Sequence, residues 1–337
     1  MDDLADTTEL PSALMGRTSP FNLPKTSKVL EKYFPGLAVH KGVAQPAAAF
    51  VDYYSIFGGE KTLETLWKER TAHFPGKALR LGPFAEGDPT GPEAINWLKK
   101  KGFAFRRVEL ERAPFLAIRN SWEEYHTAKR KKFWKNIRRA EKILSEAEGE
   151  LFFQIAKTPD DISKTLPACL ALYWNNWSRL TSQSVFLTAE GETYLQDLLE
   201  TMSACGKAEL ATLTQNGNLL AFSIGLTVDS VYYFYIFATD KAAKYEKFSI
   251  GKMLLRRVIE SAFKRNYSVF DFMSGEEAYK LEWTRNSRGR FALYATDHNI
   301  IGRTCLSWAI TRLSVETVIK KNSLVRSMLR TIARWVK

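Results

Sequence analysis

The stretch FDFMSGEEAYKLEW, residues 270–283, follows a strand-like run with a break at Gly275, two successive acids, a tyrosine, a lysine and a tryptophan. The C-terminal end of a central strand is where α/β folds open their ligand clefts. Asp271 or Glu276 there can accept the proton of an attacking amine or hydroxyl. Lys280 can stabilise negative charge growing on an acyl oxygen, or hold an anionic donor. Tyr279 can return a proton to a departing thiolate. A structural reading stands beside this one. Glu276 and Lys280 are four apart with the acid first, the favourable order for a helical ion pair, and Tyr279 and Trp283 share a face as packing anchors. Such a pair contributes only about 0.2–0.5 kcal/mol, so stability alone gives little reason for these residue types.

A second candidate is YEKFSIGK, residues 245–252. A helix N-terminus presents unpaired backbone N–H groups and a positive dipole end, which suits a pyrophosphate. The turn Lys247, Phe248, Ser249, Ile250, Gly251, Lys252 would form such a site, its lysines adding charge and Gly251 permitting close backbone approach. The alternative is a capped helix with Ser249 as N-cap. A third candidate is the basic run 129–142, whose Lys131, Lys135, Arg138 and Arg139 line one broad helix face with Phe133, Trp134 and Ile137 interleaved. It reads either as a solvated face over buried anchors or as a groove wall for a phosphate-bearing ligand.

The elements that must position these residues follow from periodicity. The 337 residues suffice for one large domain or two ordinary ones, and 45% hydrophobic content supports a packed core. The longest apolar run, residues 231–238, is too short to span a bilayer. Its lost alternation marks a central strand buried on both faces. An acidic N-terminus without an apolar h-region predicts no secretory signal and a cytoplasmic chain. Cys169, Cys205 and Cys305 lie far apart and the four histidines are scattered, so reduced, buried thiols and no metal site are expected.

The net charge of +12 is local: residues 129–142 carry +7 and residues 303–337 another +7, leaving the remainder near −2. Such patches favour phosphate-bearing ligands, nucleic acid or anionic lipid. The boundaries predicted are a mobile tail over 1–28, a first α/β half over 29–149, a second over 150–302, and a basic helical tail over 303–337. Ser121 and Glu124 form a capping box for a helix running to Gly149. Asn216-Gly217 marks a hairpin. The second half reads β-α-α-β-β-β-α-β-α-β. The tail, with Trp308 and Trp335 near its ends, fits an interfacial helix on anionic membrane and equally a helix packed on the domain.

That order is similar to the GNAT acyltransferase fold. Ser249, Gly251, Asp271, Gly275, Glu276, Tyr279, Lys280 and Trp283 match one by one the pattern of the CelD-like branch of GNAT proteins, associated with cellulose and exopolysaccharide biosynthesis and related to the FemAB peptidyltransferases. RKKFWKNIRRAEKIL resembles the basic helix of that family, and RLGPFAEGDPT its N-terminal half, so the resemblance spans about residues 45–300. It implies an α/β protein with two GNAT-like halves in tandem, in which the strand 231–239 and the strand before Gly275 splay apart. The thioester arm of acyl-CoA, acetyl-CoA included, would enter the gap as co-substrate, with the backbone of Ile236, Phe237 and Ala238 facing the acyl carbonyl. Glu276, Lys280, Asp271 and Tyr279 would be catalytic, and Lys131, Lys135, Arg138, Arg139 and Trp283 would meet an acceptor, implied to be a sugar amine or hydroxyl. The phosphate turn departs from the acetyltransferase pattern in carrying a single glycine, which leaves room for another acyl donor. A FemAB-like enzyme using aminoacyl-tRNA, an acyl-carrier-protein donor, and a non-catalytic scaffold at the inner membrane face are the rivals.

Overall fold

A computed structural model describes residues 37–40, 43–46, 59–177, 188–242 and 245–321. The tail expected over 1–28 and Trp335 lie outside the described residues. Along the chain the elements run β1 (Leu37–His40), β2 (Val43–Pro46), α1 (Gly59–His73), β3 (Leu79–Ala85), α2 (Thr90–Lys100), β4 (Ala104–Glu109), β5 (Ala113–Ala117), α3 (Trp122–Ala128), α4 (Lys131–Glu148), β6 (Leu151–Ala156), α5 (Pro159–Trp177), α6 (Ala189–Ser203), β7 (Ala208–Gln215), β8 (Asn218–Val228), β9 (Val231–Thr239), a 3-10 turn (Glu246–Phe248), α7 (Ile250–Lys264), β10 (Val269–Asp271), α8 (Ala278–Leu281), β11 (Ser287–Arg288), β12 (Arg290–Thr296) and α9 (Ile300–Lys321).

The strands form a five-stranded sheet, β1-β2-β3-β12-β4, and a seven-stranded sheet, β11-β5-β10-β9-β8-β7-β6. Each sheet draws a strand from the opposite side of residue 150. Strand β12 lies between β3 and β4, and β5 pairs antiparallel with β10. The two sheets are therefore tied together twice by the chain.

Strand β9 is the middle strand of the larger sheet, as its unbroken apolar run predicts. Its Tyr233 and Ile236 belong to the core formed with Leu166 and Leu170 of α5 and Leu195 and Leu198 of α6. Its Tyr232 and Phe234 belong to the core on the other face, with Trp134 and Ile137 of α4 and Met253 and Val258 of α7. Helices on both faces leave no polar side for an alternating pattern. The β7–β8 hairpin turns at Asn216 and Gly217, with φ of 49° and 77°. Positive φ at both central residues is what a tight two-residue hairpin demands, and Asn-Gly meets it at little cost.

Two expectations are corrected. The helix expected from Ser121 to Gly149 is broken: Ser121 does cap its start, accepting from the Glu124 N–H at 3.1 Å, but Lys129 is extended (φ −80°, ψ 151°) and α4 restarts at Lys131. The bend lets Trp134 Nε1 donate to the His126 carbonyl at 2.7 Å, folding α4 back onto α3. The three thiols are not all buried, for Cys169 is enclosed while Cys205 is exposed. Burial pushes the Cys169 thiol up to about 12, so it stays protonated and unreactive.

The first turns of α9 pack back on the protein, with Leu306 and Ala309 buried against Ala292 and Tyr294 of β12. Ile300, Ile301 and Trp308 remain exposed. Among the described residues no helix is long and apolar enough to cross a membrane.

Candidate active site

The larger sheet opens at its centre. Strand β10 pairs with β9 in parallel only where Val269–Asp271 faces Val231–Tyr233. Strand β9 continues to Thr239 without it, so the edge from Phe234 onward has lost that neighbour. At the same level β9 carries one extra residue: Ile224 of β8 faces Ile236, but Gly225 faces Phe234, leaving Tyr235 as a bulge. A bulge bends its strand and disrupts the ladder locally. Ile236, Phe237 and Ala238 thus lie on the bent, open stretch.

The N-terminus of α7 stands against this opening. Ser249 adopts the left-handed conformation (φ 54°, ψ 46°) and its side chain caps nothing, which corrects its expected role as N-cap. A Cβ at Gly251 would lie 2.7 Å from Cζ of Phe237 and 3.2 Å from Cγ2 of Thr239, so a side chain there would have to displace the Phe237 ring. Phe248 and Ile250 are buried in the core, whereas Lys247 is exposed over the Phe248 ring at 5.0 Å. Lys252 forms an ion pair with Glu282 at 2.6 Å. The turn that would hold a phosphate therefore offers its backbone, an exposed ammonium and a second one held by a carboxylate.

The 271–283 segment divides into residues that build the turn and residues that face the opening. Asp271 is fully enclosed. Its Oδ2 accepts from Nη2 of Arg288 at 2.6 Å and its Oδ1 from the Met273 N–H at 2.7 Å. A carboxylate held this way anchors the turn, and the expectation that it serves as a general base is withdrawn on that geometry. Helix α8 is only four residues long and begins after Glu276, so the helical Glu276–Lys280 pair does not form. Lys280 instead pairs with Glu277 at 2.9 Å and donates to the Ser274 carbonyl at 2.5 Å. Gly275 has φ of 93°, and a side chain there would run into the Glu277 carboxylate. Glu276 is exposed, accepts from Ser287 Oγ at 2.9 Å and lies 4.0 Å from Nε of Arg112. It is thereby tied to β11, while Tyr279 stacks on Phe237 at 6.0 Å between centroids. The structure brings together Tyr279, Phe237 and Gly251 at the opening; it does not place Glu276 with them.

Lys280→Met should lower stability by about 1–3 kcal/mol, the range for losing a hydrogen bond made by a charged group, here to the partly buried Ser274 carbonyl. The urea midpoint measures it, and an unchanged midpoint would show that Lys280 does not hold the turn.

The expected acceptor residues also separate. Lys131, Lys135, Arg138 and Arg139 are exposed on α4 above buried Trp134 and Ile137, a solvated face over its anchors. Trp283 is fully buried, packed edge-on to Phe133 at 5.0 Å and Trp134 at 5.9 Å. It is a core anchor, which corrects its expected contact with a ligand. Sequence reasoning missed Arg288, the partner of Asp271, and Lys129 and Arg285, which wall a cavity beside Glu282. The density of arginines over residues 285–290 was the one available signal.

Among the described residues no cluster of three or more His, Cys, Asp or Glu could hold a metal ion. Residues 131–281 match the family model of the acetyltransferase (GNAT) domain. Among solved structures, L-PGS from Bacillus licheniformis is similar at 12% identity and a TM-score of 0.53, covering 89% of this chain and 98% of that one. The C-terminal domain of a protein assigned as a lysylphosphatidylglycerol synthetase from Agrobacterium fabrum is similar at 12% identity and a TM-score of 0.52, covering 84% of each chain. A structure of FemX gives 10% identity and a TM-score of 0.49, covering 82% of this chain and 91% of that one. No curated protein matches the chain. The fold is the GNAT fold, a mixed α/β architecture, and the portion that matches the GNAT domain model is somewhat under half of the chain.

Proposed function

We propose that the chain is a GNAT-type acyltransferase that passes an acyl group directly from a bound donor to an amine or hydroxyl. The observation that carries this is the opening at the sheet centre, where the bulge at Tyr235 and the end of β10 leave the backbone of Ile236–Ala238, still paired to β8, without β10 as a neighbour on its other edge and beside a helix N-terminus. A backbone edge freed from its ladder can donate to an acyl oxygen as charge develops there. The α7 turn can take the donor phosphates, with Lys247 and the backbone N–H groups of Ser249–Gly251 as the holding groups, the Lys252 N–H being engaged by the Ser249 carbonyl. Acyl-CoA fits these features as co-substrate. It would supply the activated thioester.

Tyr279 is the proton donor in this reading. Burial, with the nearby Glu277 as a second cause, raises its phenol well above the ordinary range, so it is protonated at neutral pH. Its position on Phe237 puts it at the opening where a leaving thiolate would need a proton. The CelD-like motif favours a sugar amine or hydroxyl as acceptor. A second reading, with an aminoacyl ester of tRNA as donor, is favoured by the exposed Lys131, Lys135, Arg138 and Arg139. A basic helix face is an electrostatic footprint for a polyanion.

Thermal stabilisation by acyl-CoAs, free CoA and aminoacyl-tRNA separates these. A ligand at 100 times its Kd adds about 2.7 kcal/mol to the folded form by mass action. A clear rise in Tm with an acyl-CoA is expected. A rise with aminoacyl-tRNA alone would replace the donor, and no rise with either would overturn the proposal.

A further inference from the structure

Helix α9 has two faces of different use. Gly302, Leu306 and Ala309 recur at helical spacing and are buried, the last two against Ala292 and Tyr294 of β12. Ile300, Ile301, Thr304 and Trp308 lie on the opposite side, at i, i+1, i+4 and i+8, and all four are exposed. The three apolar members, Ile300, Ile301 and Trp308, are 85%, 70% and 55% exposed. They are three of the seven large apolar side chains exposed among the described residues, so this surface is concentrated on one helix face. Single exposed apolar residues are ordinary, but a contiguous group marks a contact site.

A helix that only covered β12 would turn polar side chains outward, the usual pattern for a surface helix. Trp308 stands outside instead, with the Arg312 guanidinium 5.5 Å from its ring centroid. Tryptophan is favoured at the level of lipid headgroups, where its ring meets apolar chain and its N–H stays wet.

Charge decides what covers this face. Residues 303–337 carry net +7, a sum that already counts their one acid, Glu316. Beyond Lys321 the sequence adds Arg326, Arg330, Arg334 and Lys337 and no acid at all. An anionic surface responds to such a summed charge, so the attraction does not require any one of these side chains to be unpaired. A second copy of the chain would bring the same positive charge and be repelled. Among the described residues no helix is long and apolar enough to cross a membrane, so the fitting mode is a helix lying on the bilayer.

We propose that the outer face of α9 docks on an anionic membrane surface, with Ile300, Ile301 and Trp308 entering the headgroup region and the basic segment 303–337 supplying the attraction. The inference goes beyond acyl transfer and stands without it, because it concerns where the protein works and not what it transfers.

Flotation of the full chain with vesicles of equal parts phosphatidylcholine and phosphatidylglycerol, at low ionic strength, tests it. Binding is expected, and it should be at least about tenfold weaker to phosphatidylcholine alone, since each cation near an anionic surface contributes about fivefold. Ile300→Ser, Ile301→Ser and Trp308→Ser combined should weaken it at least about tenfold by removing the apolar contact. Circular dichroism and Tm should stay close to wild type, because these side chains are outside the core. Arg326→Gln, Arg330→Gln and Arg334→Gln combined should also weaken binding at least about tenfold. Phe152→Ser, which removes an exposed ring from the edge strand β6, should bind as wild type. Brominated acyl chains in the anionic vesicles should quench the tryptophan fluorescence of wild type more than that of Trp308→Phe, which puts residue 308 at the bilayer. The proposal is overturned if wild type binds neither vesicle or both equally, or if the folded apolar triple variant binds unchanged. Loss of self-association in that variant with vesicle binding intact, read by sedimentation equilibrium, would overturn it too and make the face an interface between copies.

Discussion

Replacing Asp271 by alanine should lower the folding free energy by about 3–5 kcal/mol, the usual cost of leaving one member of a buried ion pair behind. Asp271 and Arg288 are 0% and 3% exposed and 2.6 Å apart, so the arginine left behind would keep its charge in a site shut off from water. Domains of this kind have only about 5–15 kcal/mol of net stability, and the loss would be visible in any denaturation curve. The double variant Asp271→Leu with Arg288→Met should recover most of it, because a buried pair exchanged whole for apolar groups of similar volume is often neutral. That non-additivity is the signature of a coupled pair. A single Asp271→Ala variant within about 1 kcal/mol of wild type, against the 3–5 expected, would show that the carboxylate is not the anchor described. The pair matters to the site because Asp271 also accepts from the Met273 N–H, where φ is 62°. One carboxylate thereby ends β10, fixes the sharp turn after it and ties that turn to β11.

The second large effect concerns turnover. Tyr279→Phe should reduce it about 10²–10⁴-fold, the range for loss of a positioned proton donor, with donor affinity preserved. The ring stacked on Phe237 is retained in the variant and only the hydroxyl is lost. Steady-state kinetics with whichever donor stabilises the protein would show the fall in kcat with KM little changed. A variant with full kcat would reduce Tyr279 to a packing residue and leave proton return to solvent. Because the phenol is raised well above the ordinary range by burial, its deprotonation should cause no fall in rate at or below neutral pH.

The sequence made the local elements of this fold legible. The apolar run of β9, the Asn216-Gly217 turn and the Ser121 cap are all written in neighbouring residues, and all appear in the structure. The exchange of β5 and β12 between the sheets was not legible, since nothing near Phe115 or Tyr294 in the chain says which strand it will meet. The break at Lys129 was hidden for the same reason. A run rich in lysine and arginine has ordinary helix propensity, and the bend accompanies contacts with Trp134 and Glu282, the latter 153 positions away. In the opening motif the spacing of Glu276 and Lys280 promised a helical pair. The helix instead starts at Ala278, and Lys280 turns to Glu277 and to the Ser274 carbonyl. Types and spacing identified a segment capable of chemistry, but not which of its polar groups would be consumed in building the turn.

The most direct test of the central claim is photo-cross-linking with an acyl-CoA analogue that carries a diazirine in its acyl chain, followed by peptide mapping. Labelling should fall on peptides containing residues 234–239 and 276–283, and excess CoA should abolish it. Labelling confined to other segments, or undiminished by CoA, would contradict the placement of the acyl group at the open edge of β9.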